Sequence, residues 1–206
     1  MIYLIRHGQT DQNVAWRIQG QRDFPLNDTG VSQAEAAGKR LRDLGISFSK
    51  VYSSPLIRAV KTAEIVTGEE ASFMILDDRL KEMDYGRFEG ADMKNLPEEL
   101  KEFFKDFAHN PAPEGMEQLS SVVERAGIFL KEIRDQEGNI LISTHAIAMK
   151  GILEYLTPGS GGAYWSKYIG NCAVYVAENI NGTIGVPKEL EISTSAIRSQ
   201  ERENAE

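Results

Sequence analysis

Residues 139–155 of the chain read NILISTHAIAMKGILEY, and this stretch decides the fold class. Its first part, Asn139 to Ser143, is a short and almost wholly apolar run, which is typical of a strand buried on both faces. Its second part, from about Ile147 to Tyr155, has the pattern of a helix. A buried strand that leads directly into a helix predicts an α/β layer fold.

The alternation of strand and helix continues on both sides of this stretch. Further strands are predicted at Ile2 to Ile5, Val51 to Tyr52, Phe73 to Leu76, Ala173 to Ala177 and around Ile184, and one of the last two is a candidate antiparallel edge strand. Further helices are predicted from Asp28 or Thr29 to near Gly45, from Leu56 to Val66 and from Gln118 to Arg134. The expected architecture is a three-layer α/β/α sandwich around a mostly parallel central sheet.

We expect one domain, residues 1–187, followed by a polar C-terminal tail from Lys188 to Glu206 with a frayed end. Within the domain, residues 84–115 interrupt the alternation with a short helix of their own. One face of that helix is apolar and carries Leu96, Leu100, Phe103 and Phe107. Such an insertion is either a lid over a site or a helix that completes the outer layer, and the sequence leaves both interpretations open.

The composition excludes several classes of protein. The 206 residues carry 31 acidic and 23 basic side chains, which give a formal net charge of -8. Because no run of lysine and arginine exists, a nucleic-acid partner is not expected. The single cysteine, Cys172, excludes a disulfide framework within the chain. No apolar run is long enough to span a membrane, and the one before Arg6 is too short for a signal peptide, so we expect a soluble, cytoplasmic protein.

Reactive side chains follow four of the predicted strands, at the edge where the carboxyl ends of parallel strands meet and ligands bind. They are Arg6 and His7 after the first strand, Arg58 in the helix after the second, Glu82 beyond the third, and His145 after the strand at residues 139–143. An arginine in the first turn of a helix opposes the helix dipole unless an anion lies between the two. Each residue alone has an ordinary structural explanation, but together they predict a site for an anion.

Other kinds of site find little support in the sequence. The three histidines, His7, His109 and His145, form no H-x-x-x-H pair, and no C-x-x-C pair exists, so no metal site is expected. The sequence contains no phosphate-binding loop of the G-x-x-x-x-G-K-[ST] or G-x-G-x-x-G type, and no G-x-S-x-G elbow of an esterase. What remains is chemistry on an anion, for which we expect neither a metal nor a cofactor.

Five motifs occur along the chain in an order that points to one known family. They are Leu4-Ile5-Arg6-His7-Gly8-Gln9-Thr10 with Asn13 and Arg17-Ile18-Gln19-Gly20; Pro25-Leu26-Asn27 with Gly30, Gln33 and Ala34; Ser53-Ser54-Pro55-Leu56 with Arg58, Ala59, Thr62 and Ala63; Leu80 and Glu82 with Tyr85-Gly86 and Phe88-Glu89-Gly90; and Ser143-Thr144-His145. In these motifs the chain resembles the histidine phosphatase superfamily, which is also called phosphoglycerate mutase-like.

The resemblance implies a role for each residue of the predicted site. His7 would attack the phosphorus of a phosphomonoester and form a phosphohistidine, which water then cleaves. Arg6, Arg58 and a protonated His145 would hold the phosphoryl oxygens. Glu82 would act first as general acid toward the leaving oxygen and then as general base toward water.

Five further positions bear on the site less directly. The resemblance implies neutral hydrogen bonds to the phosphate from Thr10, Asn13 and Gln19, for which a capping role in the loop is the alternative. Two positions depart from the family's pattern. Ala146 stands where glycine usually follows the second catalytic histidine, and its methyl group narrows the pocket. Met116 lies in a Gly-Met-Glu sequence where the family often has Gly-Glu-Ser, so a polar contact with the substrate is not expected there.

The resemblance leaves the reaction type partly open. The leading hypothesis is a metal-independent phosphatase of a small phosphorylated metabolite, because Arg87 is the only arginine in residues 84–115, whereas the cofactor-dependent mutases typically have an arginine-rich lid. A phosphoglycerate mutase-type phosphotransferase is the alternative. A non-catalytic phosphate-binding module is disfavoured because His7 and Glu82 are both present. Phosphosugars, phosphoglycerate derivatives, cobalamin-pathway nucleotides and phosphoamino acids stay open as substrates, and so does the oligomeric state.

Overall fold

A computed structural model describes residues 1–191 of the chain. The strands in this part are β1 Ile2–Arg6, β2 Lys50–Ser53, β3 Ile75–Leu76, β4 Ile140–Thr144, β5 Val174–Ala177, β6 Asn179–Ile180, β7 Thr183–Ile184 and β8 Lys188–Leu190. The α-helices are α1 Asp11–Val14, α2 Asp28–Asp43, α3 Ile57–Thr67, α4 Glu98–Lys105, α5 Leu119–Ile133 and α6 Ala146–Leu156. Short 3-10 helices cover Ala71–Phe73, Asp78–Leu80, Gly86–Phe88 and Ala163–Ser166.

The main sheet has six strands in the order β3-β2-β4-β1-β5-β8. The first four are parallel to one another, whereas β5 and β8 are antiparallel to their neighbours. Strands β1 and β4 are paired in register as far as Arg6 and Thr144, so they end at the same edge of the sheet. The next residues, His7 and His145, therefore leave the sheet side by side.

Alternating side chains of the strands supply one apolar core on each face of the main sheet. From β1, Ile2 and Leu4 pack with α5 and α6, whereas Tyr3 and Ile5 pack on the opposite face with α2 and α3. Helices thus cover both faces of the sheet. The predicted three-layer α/β/α sandwich with a mostly parallel sheet is confirmed.

Helix boundaries lie close to the predicted ones, with one correction at a cap. The cap of α2 is Asn27, whose Oδ1 accepts the backbone N–H of Gly30 at 2.9 Å, rather than Asp28 or Thr29. Helix α3 stops as predicted at Gly68, whose φ of 79° requires the left-handed conformation that glycine adopts most readily. The sequence pattern thus places these two helix ends to within about one residue.

The C-terminal region differs from the expectation in two ways. Residues 188–190, which we expected to begin a polar tail, form the edge strand β8, because Leu190 packs against the core while its two neighbours face solvent. The region around Ile184 is a strand as predicted, but it pairs with β6 in a separate two-stranded sheet. Strand β5 is antiparallel but is not the edge. The frayed end predicted for the tail concerns residues 192–206, which lie outside the described residues.

The insertion at residues 84–115 builds a third apolar cluster around α4. Leu100 and Phe103 are buried in it, and Leu96 and Phe107 pack against it, so the predicted shared face is confirmed. The same insertion contributes to the wall of a cavity at the sheet edge where β1 and β4 end. Its movement as a lid stays a prediction.

No helix within residues 1–191 combines the length and the apolar character that a membrane crossing requires. The longest of them, α2, has 16 residues, and a crossing takes about 20 apolar ones. The cytoplasmic location expected from the sequence stays a prediction.

Candidate active site

His7 lies just beyond β1 and is held there by the backbone. Its N–H donates to the carbonyl oxygen of Thr144 on β4 at 2.9 Å, and its side chain is 2% exposed. The next residue, Gly8, donates its N–H to Thr62 Oγ1 at 3.0 Å. A Cβ atom at Gly8 would lie 2.4 Å from the carbonyl oxygen of Gly30, so only glycine fits at this close approach.

The imidazole of His7 is oriented by a hydrogen bond to its own loop. Nδ1 lies 2.7 Å from the carbonyl oxygen of Gly8, which has no proton to give, so Nδ1 carries the proton and donates. Burial, with the charges of Arg6 and Arg58 as smaller causes, lowers the pKa of His7 well below its usual value. The ring is therefore neutral at pH 7, and the lone pair is on Nε2.

Two arginines contribute positive charge beside His7. Arg58 is fully buried, and its Nη1 and Nη2 donate to the carbonyl oxygens of Arg22 at 2.8 Å and Gly20 at 2.7 Å. Burial lowers the pKa of Arg58 to about 10, which leaves the guanidinium charged at neutral pH. Arg6 donates from Nη1 to the carbonyl oxygen of Ile169 at 2.5 Å. Neutral backbone acceptors fix both guanidinium groups without cancelling their charge.

His145 packs against His7, with ring centroids 5.2 Å apart. Its Nε2 lies 2.8 Å from Ser54 Oγ, and the side chain is fully buried. Burial first, and then the charge of Arg58, lowers the pKa of His145 well below its usual value. A lowered pKa favours the neutral imidazole in the free protein. The protonated His145 that the resemblance implies at a bound phosphoryl group stays a prediction.

Unmatched hydrogen-bond donors collect at this site. Within residues 1–191, only five buried side-chain nitrogen or oxygen atoms have no hydrogen-bond partner. Three of them are Nε of Arg6, Nε of Arg58 and Nδ1 of His145. Buried polar groups without partners are rare in folded proteins, and each calls for an explanation. An oxyanion held by these three residues provides one, because it supplies acceptors that the protein does not.

Glu82 is buried against the N-terminus of α6. Its Oε1 accepts backbone N–H groups from Met83 at 3.0 Å, Ile147 at 3.1 Å and Ala148 at 3.0 Å. Oε2 accepts only a longer bond, 3.3 Å, from Ile147. The carboxyl group is thus fixed through Oε1, while Oε2 keeps the capacity to take and give a proton.

The three neutral residues predicted around the phosphate divide into two kinds. Asn13 and Gln19 contribute to the wall of the cavity that contains His7. Thr10 is fully buried and caps α1, where its Oγ1 accepts the N–H of Asn13 at 3.3 Å and lies 3.0 Å from Gln19 Oε1. Thr10 therefore orients the other two side chains, and a direct contact between Thr10 and phosphate stays a prediction.

The cavity at the sheet edge has a volume of about 510 Å³. Four of the five predicted catalytic residues contribute to its wall, namely Arg6, His7, Arg58 and Glu82, and His145 packs directly behind His7. The insertion and α6 supply a further part of the wall, which includes Tyr85, Phe104, Lys105, Phe107, Ala146, Ile147 and Lys150. The loop after α1 and the segment at Trp165 and Ser166 complete it. A larger hollow of about 740 Å³ lies on the other side of Trp165 and contains none of the predicted site residues.

The two departures from the family's pattern have different consequences. Ala146 contributes to the cavity wall, and the narrowing of the site by its methyl group stays a prediction. Met116 is buried in the third apolar cluster and is not part of the cavity wall, which agrees with the absence of a polar contact there. No group of three or more His, Cys, Asp or Glu side chains in residues 1–191 is arranged to hold a metal ion.

Sequence reasoning missed three residues that support the site. Ser54 was part of a motif but was given no role, and it is the partner of His145 Nε2. Arg125 on α5 donates to the backbone beside Glu82. Lys150 contributes to the cavity wall from α6, and the available signal was its position as the only basic residue in an otherwise apolar helix.

Comparison with known proteins gives one matching family and several relatives. The model of the histidine phosphatase superfamily (branch 1) matches residues 2–187. A Salmonella newport (strain SL254) protein named "Probable phosphoglycerate mutase GpmB" is 36% identical over 154 residues, which cover 72% of this chain and 70% of that protein. The structure of Bacillus stearothermophilus YhfR is similar with a TM-score of 0.82 and 33% identity, over 95% of this chain and 98% of the other. The structure of phosphoserine phosphatase from Entamoeba histolytica in complex with 3-phosphoglyceric acid is similar with a TM-score of 0.77 and 25% identity. The similarity covers 94% of this chain and 97% of the other.

Proposed function

The chain belongs to the histidine phosphatase superfamily, and we propose that it is a metal-independent phosphomonoesterase of a small phosphorylated metabolite, acting through a phosphohistidine on His7. One observation carries the proposal. The lone pair of His7 Nε2 stands beside two charged arginines and a second histidine. Three of their buried nitrogens, Nε of each arginine and Nδ1 of the histidine, have no hydrogen-bond partner within residues 1–191. A nucleophile together with an unfilled set of anion donors is what phosphoryl transfer requires.

The first half of the reaction forms a bond between Nε2 of His7 and phosphorus and breaks the bond between phosphorus and the ester oxygen. The proton needed by the departing oxygen comes from Oε2 of Glu82, the less strongly hydrogen-bonded oxygen of that carboxyl group. Positive charge develops on the imidazole as Nε2 reacts. The carbonyl oxygen of Gly8, 2.7 Å from Nδ1, stabilises that charge.

Arg6, Arg58 and His145 neutralise the phosphoryl oxygens in this mechanism. Ser54 Oγ lies 2.8 Å from Nε2 of His145. In this mechanism the hydroxyl donates to Nε2, so the proton of the neutral ring is on Nδ1, where a phosphoryl oxygen can accept it. The arriving dianion then favours the charged imidazolium. Fixed cations in a buried site supply the electrostatic stabilisation that magnesium supplies in many phosphoryl-transfer enzymes.

The second half hydrolyses the phosphohistidine. Water loses a proton to the Glu82 carboxylate as its oxygen bonds to phosphorus, and the bond between phosphorus and Nε2 breaks. His7 returns to its neutral form with the proton on Nδ1, because the pKa of this buried ring is low. Inorganic phosphate leaves, and the protonated Glu82 is ready for the next ester.

A mutase is the second candidate, and one comparison favours it: the 36% identical relative named as a phosphoglycerate mutase. The charges of the insertion favour a phosphatase. Arg87, the only arginine in residues 84–115, forms an ion pair with Glu99, lies 4.7 Å from the centre of the Phe88 ring and is not part of the cavity wall. Of the lysines in this segment, only Lys105 contributes to the wall. The insertion thus contributes only one basic residue to the wall, unlike an arginine-rich lid, and this favours water as the acceptor.

The test is the release of phosphate from p-nitrophenyl phosphate in excess EDTA. We expect turnover by the unaltered chain, and a loss of at least about a thousandfold in His7→Ala, because a covalent nucleophile cannot be replaced by its neighbours. His109→Ala is the matched control, since His109 is exposed, pairs with Asp106 and is not part of this cavity. Equal rates for His7→Ala and His109→Ala would contradict the proposal.

A second assay separates the two candidate functions. The chain is incubated with 3-phosphoglycerate, with and without 2,3-bisphosphoglycerate, and both 2-phosphoglycerate and free phosphate are measured. A phosphatase releases phosphate in both mixtures. A mutase forms 2-phosphoglycerate only with the primer and releases little phosphate.

A further inference from the structure

The loop of residues 19–22 sets the direction of the Arg58 guanidinium. The carbonyl oxygen of Gly20 accepts Nη2 of Arg58 at 2.7 Å, and that of Arg22 accepts Nη1 at 2.8 Å. Because the guanidinium is a planar and rigid fork, these two hydrogen bonds fix both its position and its plane. Nε is the nitrogen of Arg58 that has no hydrogen-bond partner within residues 1–191. In the proposed mechanism, the contact between Arg58 and the phosphoryl group therefore depends on where the loop holds its carbonyl oxygens.

Glu89 lies against this loop from the insertion at residues 84–115. Its Oε1 accepts the backbone N–H of Gln21 at 2.7 Å, and Gln21 stands between the two residues whose carbonyl oxygens hold Arg58. The Glu89 side chain is only 10% exposed, and its Oε2 makes a longer ion pair, 3.6 Å, with Nε of the exposed Arg22 side chain. A hydrogen bond to a carboxylate is stronger than one between neutral groups. Glu89 thus fixes the middle of the loop.

Gly20 allows the carboxylate to approach the loop this closely. Its φ of 53° lies in the left-handed region that glycine adopts most readily. A Cβ atom at Gly20 would lie 2.1 Å from Oε1 of Glu89, so any side chain there would displace the carboxylate. Gly20 belongs to the first motif of the sequence and Glu89 to the fourth. The two residues form one arrangement, in which the insertion supports the loop that holds Arg58.

Glu89 also places negative charge near the buried guanidinium of Arg58. Burial lowers the pKa of Arg58 to about 10, and the charges of Glu82, Asp23 and Glu89 act in the opposite direction. The short hydrogen bond of Glu89 Oε1 is made with the loop. Glu89 therefore supports the charge of Arg58 while Nε of Arg58 keeps its capacity to bind an anion.

We propose that Glu89 is a positioning residue for the reaction: through its hydrogen bond to the N–H of Gln21, it holds the loop of residues 19–22 so that Arg58 meets the phosphoryl group. This proposal rests on the proposed phosphatase function and deepens it, because it assigns the support of the anion site to a residue of the insertion. Glu89 is not part of the wall of the cavity that contains His7. It therefore acts through Arg58 and not on the substrate.

Three variants test the hydrogen bond from Gln21. Glu89→Ala removes its acceptor, and we expect kcat/KM for p-nitrophenyl phosphate to fall by about tenfold or more, because a small displacement of a substrate-binding group is costly. Glu89→Gln keeps an oxygen for the N–H of Gln21 and should recover most of that loss. Glu99→Ala is the matched control, since this exposed carboxylate of the same insertion pairs with Arg87, and its effect should be less than about twofold. Unaltered kinetics in Glu89→Ala, or equal losses in Glu89→Ala and Glu89→Gln, would overturn the proposal.

A cycle of double variants with Arg58 separates positioning from general structural support. Arg58→Lys keeps a positive charge, but one ammonium group cannot take the two carbonyl oxygens as a planar fork does. If Glu89 acts through Arg58, then Glu89→Ala should lower kcat/KM by less than about threefold in the Arg58→Lys background. A fall by the same factor in both backgrounds would mean that Glu89 acts independently of Arg58, and the proposal would be overturned. Urea unfolding identifies any variant that is not folded under the assay conditions.

The same loop contacts Glu82, so the leaving group must distinguish two routes. Gln21 Nε2 donates to the carbonyl oxygen of Glu82 at 3.1 Å. A displaced general acid slows the release of an alkyl alcohol more than that of p-nitrophenol, which needs no proton, whereas a displaced Arg58 slows both. We expect Glu89→Ala to lose a similar factor on p-nitrophenyl phosphate and on glycerol 3-phosphate. A loss confined to glycerol 3-phosphate would assign the effect to Glu82 and overturn the proposal.

A binding measurement keeps this proposal separate from the phosphatase proposal. Calorimetric titration with inorganic phosphate requires no turnover. We expect Glu89→Ala to bind phosphate about tenfold more weakly than the unaltered chain, the size of one charged hydrogen bond, and this difference to be absent in the Arg58→Lys background. If catalysis is absent while the difference is present, the positioning role stands and the phosphatase function falls. If catalysis is present and Glu89→Ala binds phosphate as the unaltered chain does, the reverse holds.

Discussion

Arg125 Nη1 donates to the carbonyl oxygen of Lys81 at 2.7 Å and so holds the residue directly before Glu82. The same group donates to the carbonyl oxygen of Arg79 at 2.6 Å, and Nε donates to Glu117 Oε1 at 2.7 Å. The guanidinium and its carboxylate partner are both largely buried. One side chain of α5 therefore fixes the loop that carries the proposed general acid.

We expect Arg125→Ala to lower kcat by about tenfold or more with little change in KM, because a misplaced acid affects the chemical step more than binding. The free energy of unfolding should fall by roughly 3 kcal/mol, since Glu117 loses its buried partner. Steady-state kinetics and urea unfolding measure the two effects. Arg125→Lys should recover part of kcat, and a raised KM with unchanged kcat would show that Arg125 acts on binding instead.

Glu82→Gln separates the two roles of the carboxyl group. The amide keeps an oxygen that can accept the N–H groups received by Oε1, so the fold should persist, but it has no acidic proton to give. We expect release of an alkyl alcohol from its phosphate to slow by about a hundredfold or more. Release of p-nitrophenol, a leaving group that needs no proton, should instead show a burst and then a slow steady state, as phosphohistidine accumulates. A variant without a burst, and with equal losses on both substrates, would contradict this assignment.

Ser54→Ala removes the hydroxyl that orients His145. Because Ser54 Oγ lies 2.8 Å from Nε2, its loss frees the tautomer and rotation of the imidazole. We expect kcat to fall about tenfold, which corresponds to one hydrogen bond. Ser53→Ala is the matched control, since this neighbouring hydroxyl donates to the backbone carbonyl oxygen of Ser54 and not to a catalytic side chain. Equal kinetic losses in the two variants would leave Ser54 without a special role.

The buried histidines make the stability depend on pH. Burial lowers the pKa of both His7 and His145 in the folded chain, whereas in the unfolded chain both titrate near about 6.5. Below that pH the unfolded chain binds protons that the folded chain does not, so the free energy of unfolding should fall as pH falls. Each group contributes up to about 1.4 kcal/mol per pH unit.

Urea unfolding between pH of about 7.5 and 5.5 measures this slope, in a range where the carboxylates titrate little. His145→Gln should have a shallower slope than the unaltered chain, because one of the two groups is gone. Inorganic phosphate should also reduce the slope, since a bound dianion favours the charged form of His145 in the folded state. A free energy of unfolding that stays constant over this range would show that the two rings titrate in the folded chain as they do in the unfolded one.

The sequence predicts the layers of the fold and the identity of the site residues. It predicts the protonation states of those residues less well. Continuous apolar runs in β1 and β4 indicate which strands are central, and the residues after them, His7 and His145, do meet. The protonation state of His145 in the free protein does not follow from its own motif, because burial by the whole fold and the charge of Arg58 lower its pKa. The proton's position on His7 likewise follows from the geometry of Gly8.

The local sequence pattern does not predict structure that depends on strand pairing or on the rotation of a helix about its axis. Residues 188–190 look polar, and they become a strand only because β5 offers a free edge and Leu190 reaches the core. Lys150 is the only basic residue of α6, but its place on the cavity wall depends on the rotation of the helix about its axis. None of these relations is encoded within a window of neighbouring residues.

The in-register pairing of β1 with β4 also affects the order of events during synthesis. His7 is synthesised well before Thr144, whose carbonyl oxygen on β4 holds its backbone in the folded protein. Contacts between parts of the chain so distant in sequence form slowly. A nascent or truncated chain that ends before β4 therefore carries a nucleophile without its support, and cannot hydrolyse esters. Enzymatic activity is in this sense a reporter of completed folding.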